Sequence, residues 1–275
     1  MRTFEKLREQ YKISPLEALT LTDAELEETR TKIVGFIKEH VPNKAIIGLS
    51  GGVDSALVAY LAVEALGKEN VHGIMLPSNS NTSEDYELGK LVAENLGMKY
   101  DVINIQGTVD AFKKASPYFE SKLSQGNLKA RIRMTELYGA ANELDARVVG
   151  TDNLSENKIG YFTKFGDGGV DSNPIEHIYK TQVWQLSRKV GVPEQIVNRA
   201  PTAGLWQGQT DEGEIGVTYK LLDQVLLGLS LEYSPNEVAG ILKIDQTIVD
   251  MIIKKNTDSQ HKREMPPYPK VMPYD

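Results

Sequence analysis

Ile46-Ile47-Gly48-Leu49-Ser50-Gly51-Gly52-Val53-Asp54-Ser55 is an apolar strand core that runs into a Ser-Gly-Gly-x-Asp-Ser turn and then into a helix with apolar spacing at Val53, Leu57, Tyr60 and Leu61. A turn between a strand C-terminus and a helix N-terminus is an anion site. Unpaired N–H groups point out of the helix start, the macrodipole adds partial positive charge, and glycines let a phosphate approach the backbone. Ser50 and Ser55 add hydroxyl donors. An aspartate beside phosphate implies a divalent cation between them, so Asp54 makes this a site for a metal–polyphosphate complex.

No lysine stands inside the turn, which separates it from the Gly-x4-Gly-Lys-Ser/Thr phosphate loop; the counter-charge must come from elsewhere in the chain. Outward from the turn, apolar runs at Val71–Leu76, Tyr100–Ile105 and Arg147–Gly150 predict three more strands. Helices are predicted over 23–39, 83–96, 109–115, 127–144 and 180–190. Strands about 25 residues apart with helices between them predict right-handed crossovers, hence an α/β fold with a doubly wound parallel sheet and flanking helices. Ligands in such sheets collect beyond the strands' carboxyl ends, which places the turn and the segment after Gly150 on one rim.

That segment, 151–174, reads as a long glycine-rich loop pinned by Ile159, Tyr161, Phe162, Phe165 and Val170. Residues 211–216 read as an acidic loop ahead of a helix, and Ser234-Pro235-Asn236-Glu237 as a capping box opening another. The expected organisation is one domain over 1–275, with a helical segment 1–40, a helical segment about 217–258 and a tail 259–275.

The 275 residues carry a net charge of −7 and no cysteine, with 40% hydrophobic and 25% charged residues. This is ordinary globular composition. The acidic balance argues against coating nucleic acid, and the lack of cysteine excludes disulfides and thiol nucleophiles. No apolar run has the length of a signal peptide or membrane span, so a cytoplasmic protein is expected.

Ser50 to Ser55 resembles the pyrophosphate loop of the N-type ATP pyrophosphatases. Further segments resemble one family within them, the NAD synthetases. These are Asn127 to Met134, Gly150 to Asp152, Phe162 to Gly169, Tyr179 to Gln182, Ala200 to Trp206, Gln209 to Glu212 and His261 to Arg263, in the family's order. The resemblance implies amidation of deamido-NAD: ATP adenylylates the nicotinate carboxylate, releasing pyrophosphate, and ammonia then expels AMP.

It further implies that Gly48, Leu49, Ser50, Gly51, Gly52, Val53, Asp54, Ser55, Thr151, Lys180 and Thr202 hold ATP. Asp54 and Glu156 would ligate Mg²⁺, and Arg131, Lys164, Asp171, His261 and Lys262 would hold deamido-NAD. Each has a blander alternative: a solvated loop acid for Glu156, an exposed cation for Lys180, a solvated helix face for Arg131, turn hydroxyls for the threonines. Asp167 is the candidate for taking a proton from ammonium, which has no lone pair while protonated. A glutaminase domain needs a cysteine nucleophile, so free ammonia is the expected nitrogen source. A homodimer is expected, with the Arg131 helix a candidate interface.

Two other readings compete. Another N-type pyrophosphatase would share the turn but leave Lys164 to Asp171 and the His261-Lys262 pair unexplained. The helices 235–242 and 246–255 have the lengths of a DNA-binding helix-turn-helix, but the second offers Gln246, Thr247 and Asp250 rather than basic groups.

Overall fold

The computed structural model describes residues 1–206 and 208–269; the end of the expected tail, 270–275, lies outside the described residues. Helices α1 (Phe4–Ile13), α2 (Pro15–Leu19) and α3 (Asp23–His40) precede β1 (Lys44–Gly48), α4 (Val53–Leu66), β2 (Val71–Met75), α5 (Ser83–Leu96) and β3 (Lys99–Val102). Then come α6 (Gln106–Ala115), α7 (Lys122–Leu144), β4 (Ala146–Val148), α8 (Leu154–Ile159), α9 (Lys180–Val190), α10 (Glu194–Val197) and α11 (Asp211–Ile215). The last elements are α12 (Tyr219–Ser230), α13 (Pro235–Leu242), α14 (Gln246–Asp258) and α15 (Gln260–Arg263).

The four strands form a parallel sheet in the order β3-β2-β1-β4. Both faces are covered, which is why β1 reads as a continuous apolar run rather than an alternation. Ile47 packs with α3, α4 and α9 through Ile37, Leu57 and Val183. Its neighbour Ile46 points the other way, toward Leu128 and Ile132 of α7 and Val148 of β4. Burying each isoleucine contributes about 1.5–3 kcal/mol. The chain leaves β1 toward β2 and β3, then returns to place β4 on β1's other side, so the order reverses between β1 and β4 and opens a crevice there.

A second cluster joins α12, α13 and α14 to Tyr11 of α1 and Ala18 and Leu19 of α2, and Trp184 packs against both this cluster and the sheet's core. Val238, Ala239, Val249 and Ile252 of the supposed helix-turn-helix are buried in it, so those helices face the protein's interior. Tyr11 stacks on Tyr233 at 5.4 Å and donates to the Gln224 carbonyl at 2.9 Å.

Three local expectations need correction. The segment after Gly150 contains a helix, because Asn153 caps it and Glu156 reaches back to the Asn153 N–H. Asp211–Ile215 is likewise helical, ended by Gly216 at φ 92°. The third strand stops at Val102, since Val102 and Ile103 lie exposed at the sheet edge with only one neighbouring strand to pair with.

Candidate active site

Gly48 ends β1, and the turn that follows is held by its own serines. The Ser50 N–H donates to Ser55 Oγ at 3.3 Å, the Gly52 N–H donates to Ser50 Oγ at 3.2 Å, and Ser55 Oγ donates to the Gly52 carbonyl at 3.0 Å. Gly51 sits at φ 79°, and a Cβ there would lie 2.4 Å from the Asp85 carbonyl oxygen, so only glycine fits. Among the described residues no side chain caps α4. Its first-turn donors therefore remain for an anion.

Asp54, one residue into α4, meets Glu156 of α8 and Lys180, the first residue of α9. Lys180 Nζ lies 2.5 Å from Asp54 Oδ2 and 3.2 Å from Glu156 Oε1, and its side chain is only 2% exposed. The bland reading of an exposed lysine is thus overturned. Asn153 Nδ2 donates to the other Asp54 oxygen at 2.9 Å. The hydroxyl of Tyr219 lies 3.2 Å from both Glu156 Oε1 and Asp211 Oδ2, and its ring stacks under the lysine ammonium at 5.2 Å. Burial, with the Asp54 and Asp211 charges, pushes Glu156 up to about 7 against the pull of Lys180. Two carboxylates aimed at one point already filled by an ammonium form a donor set that suits a divalent cation shared with phosphate oxygens.

Lys180 is placed from behind. Its backbone N–H donates to Ser155 Oγ at 2.8 Å, Ser155 Oγ donates to Asp223 Oδ1 at 2.5 Å, and the Thr181 N–H donates to Asp223 Oδ2 at 2.8 Å. Asp223 is fully buried, and burial raises it to about 6. A carboxylate on α12 thus supplies the cap that Tyr179 cannot give α9.

Asp54, Glu156, Lys180 and the phosphate turn line one cavity of about 290 Å³ at the β1–β4 crevice, near the lower bound for small-molecule sites. Of the residues expected to hold ATP and metal, Gly48, Leu49, Ser50, Gly52, Val53, Asp54, Ser55, Thr151, Glu156, Lys180 and Thr202 line it, and so does Asp167. Gly51 shapes the turn without lining the cavity. The Thr202 hydroxyl donates to the Gln209 carbonyl at 2.8 Å and accepts from the Gly204 N–H, so it also folds its own loop.

The residues expected to hold deamido-NAD fall outside that lining. Lys262 Nζ donates to the carbonyls of Gly160 and Phe162, both at 2.7 Å, and lies 5.3 Å over the Phe162 ring. Lys164 Nζ donates to the His261 carbonyl, and Arg131 Nη2 donates to the Lys164 carbonyl at 3.3 Å. Four of the five are therefore brought together as a basic cluster. Lys262 links it to the cavity, because the charge of Asp167, which lines the cavity, acts on its ammonium. Asp171 stands apart: it accepts from the Val148 N–H at 2.8 Å and from the Tyr138 hydroxyl at 3.3 Å, bracing the end of β4.

Several groups escaped the sequence reading. Asp152, Arg133, Arg199 and Asp211 line the cavity, and Asn153, Tyr219 and Asp223 support it. Asp223 carried a signal, an acid inside the apolar run Leu221-Leu222-Asp223-Gln224-Val225-Leu226. Asp152 carried another, a carboxylate just beyond the carboxyl end of β4.

A family model described as NAD synthase matches residues 25–266. The NH(3)-dependent NAD(+) synthetase of Pyrococcus furiosus is 48% identical over 246 residues, covering 89% of this chain and 95% of that one. The Methanosarcina acetivorans enzyme of the same description is 43% identical over 254 residues, covering 90% and 99%. Among solved structures, the NMN synthetase of Francisella tularensis superposes with a TM-score of 0.81 at 36% identity, covering 90% of this chain and 99% of that one. The NH3-dependent NAD synthetase of Campylobacter jejuni superposes at 0.75 with 30% identity, covering 89% and 99%.

Proposed function

The chain belongs to the NAD synthase family and is an ATP-dependent ligase that amidates deamido-NAD with ammonia, and from that premise we propose how its residues divide the work. The serine- and glycine-lined turn from Gly48 to Ser55 takes the ATP phosphates on its backbone and hydroxyl donors. Asp54 and Glu156 hold Mg²⁺, a reading supported by their convergence on a single cation position within the cavity. Bound there, the ion would neutralise phosphate oxygens as charge builds on the departing pyrophosphate.

Lys180 supplies the counter-charge missing from the turn, moving from the two carboxylates to a phosphate oxygen. The cluster of Arg131, Lys164, His261 and Lys262 meets the phosphates and carboxylate of deamido-NAD with a planar guanidinium and two ammonium groups. A nicotinate oxygen attacks the α-phosphorus in line, and the P–O bond to pyrophosphate breaks. Asp167 receives a proton from ammonium, and the free amine then displaces AMP from the acyl-adenylate. Asp171 serves this site through the strand end it braces.

A homodimer through α7 is part of the proposal; Leu123 of that helix and the neighbouring Tyr118 and Phe112 lie exposed, and sedimentation velocity would read the mass directly. Among the described residues no helix is long and apolar enough to cross a membrane, in keeping with a cytoplasmic location.

The single observation that carries the metal and phosphate assignment is the meeting of Asp54, Glu156 and Lys180 across the strand-order reversal. The test is product analysis with ATP, deamido-NAD and ammonium, with glutamine replacing ammonium in one arm and deamido-NMN replacing the dinucleotide in another. AMP, pyrophosphate and NAD are expected, with no product from glutamine. Asp54→Ala and Glu156→Ala should each lower turnover by about 10²–10³-fold; ADP and orthophosphate as products would overturn the scheme.

A further inference from the structure

Nitrogen enters this reaction with four hydrogens, as ammonium, and leaves it with two, as the carboxamide. Two protons must therefore be accepted close to the acyl carbon, and Asp167 accounts for one.

Asp152 follows Thr151 just beyond β4, on the cavity wall facing the phosphate turn. It is 7% exposed. The other carboxylates around it are engaged: Asp54 by Lys180 and Asn153, Glu156 by Lys180 and Tyr219, Asp211 by Tyr161 and Tyr219, and Asp167 by the Thr163 N–H at 2.9 Å. Asp152 accepts no hydrogen bond from any of the described residues. Its foremost charged neighbours are carboxylates, Asp167 first and then Glu156, Glu176 and Asp54. A buried carboxylate without a donor is costly unless a ligand provides one. Asp152 and Asp167 line the same cavity, and the ligand whose chemistry would satisfy both is cationic and rich in N–H donors.

We propose that Asp152 and Asp167 together form the ammonium site, and that Asp152 is the second proton acceptor of the amidation. This rests on the ligase reading above. Ammonium gives one proton to one carboxylate, and the freed lone pair forms the C–N bond at the acyl carbon. The C–O bond to AMP then breaks, its electron pair leaving with the phosphate, and the second excess proton passes from nitrogen to the other carboxylate. Two carboxylates and one ammonium thus become two carboxylic acids and a neutral amide nitrogen, and AMP departs as the dianion. Burial, reinforced by Asp167, holds Asp152 well above the ordinary carboxylate range, and burial raises Asp167 as well, so both carboxylates favour taking up a proton.

The test separates the two half-reactions in the full-length enzyme. Pyrophosphate exchange into ATP, dependent on deamido-NAD, reads adenylylation without any nitrogen nucleophile. NAD formation from ammonium reads the second step, and hydroxamate formation from hydroxylamine reads the same step with a nucleophile already neutral at the assay pH. Asp152→Asn should lower kcat/KM for ammonium by about 100-fold or more, with exchange and hydroxamate formation little changed; Asp167→Asn should do the same if that variant proves the better folded by its melting curve. Exchange falling by the same factor as NAD formation would overturn the assignment by making Asp152 part of the metal or phosphate site, and so would undiminished use of ammonium. If the unmodified enzyme shows no exchange, the ligase reading has failed instead.

Discussion

Lys180→Met keeps most of the side chain's volume and removes its charge, leaving Asp54 and Glu156 facing each other without the ammonium that lies 2.5 and 3.2 Å from them. Removing one partner of a buried ion pair costs about 3–5 kcal/mol. For a chain of this size that is a fall in Tm of roughly 6–20 °C. Glu156 provides partial relief. Burial already pushes it up to about 7 with the lysine beside it, and it rises further without it, so the folded variant binds a proton more tightly than the unfolded chain does. Stability then falls as pH rises between the ordinary carboxylate value and the raised one. The penalty relative to the parent is therefore smaller at pH 6 than at pH 8. Melting curves of both proteins at the two pH values, with and without Mg²⁺ but no ATP, measure it. Mg²⁺ should restore part of the loss in the variant and change the parent little, because in the parent the lysine holds the cation position. A penalty below about 1 kcal/mol at pH 8, or one equal at both pH values, would refute the reasoning by showing that the pair is not buried and coupled in solution.

Gly51→Ala should cost about 1–3 kcal/mol and raise the KM for ATP, since its Cβ must enter the space of the Asp85 carbonyl at φ 79°; melting and exchange kinetics report the two effects. Asp223→Asn offers one acceptor where Ser155 and the Thr181 N–H each need one. We expect a loss of about 1–3 kcal/mol and a fall in kcat for exchange with KM nearly unchanged, because Lys180 is displaced while the phosphate turn is intact. Gly228→Ala places a Cβ 2.3 Å from the Tyr11 hydroxyl and should destabilise by about 1–3 kcal/mol. Tyr11→Phe, which gives up only the bond to the Gln224 carbonyl, should cost about 0.5–1.5 kcal/mol; chemical denaturation distinguishes the two.

What the sequence by itself determined is local. The run from Ile46 to Leu61 specified strand, turn and helix together, because its apolar period changes at the glycines; the left-handed angle at Gly51 belongs to the turn, while the Asp85 carbonyl that also excludes a Cβ there comes from α5. Ser234 with Glu237 marked a helix start for the same reason: the cap is complete within four residues. Where the same device lay inside a charged, glycine-rich stretch, as with Asn153 and Glu156, the polar composition masked it.

Only the tertiary structure decided what the charged residues mean. Lys180 meets Asp54 across 126 residues and Glu156 across 24, and nothing near Lys180 in the chain distinguishes a buried counter-ion from a solvated one. Asp171 and Asp152 make the same point in opposite directions: one is spent on the N–H of Val148, the other faces the cavity with no donor among the described residues. Backbone preference depends on neighbours in sequence, whereas the free energy of a charge depends on the solvent it loses and the partners it gains, and both are set by which strands and helices the fold brings together.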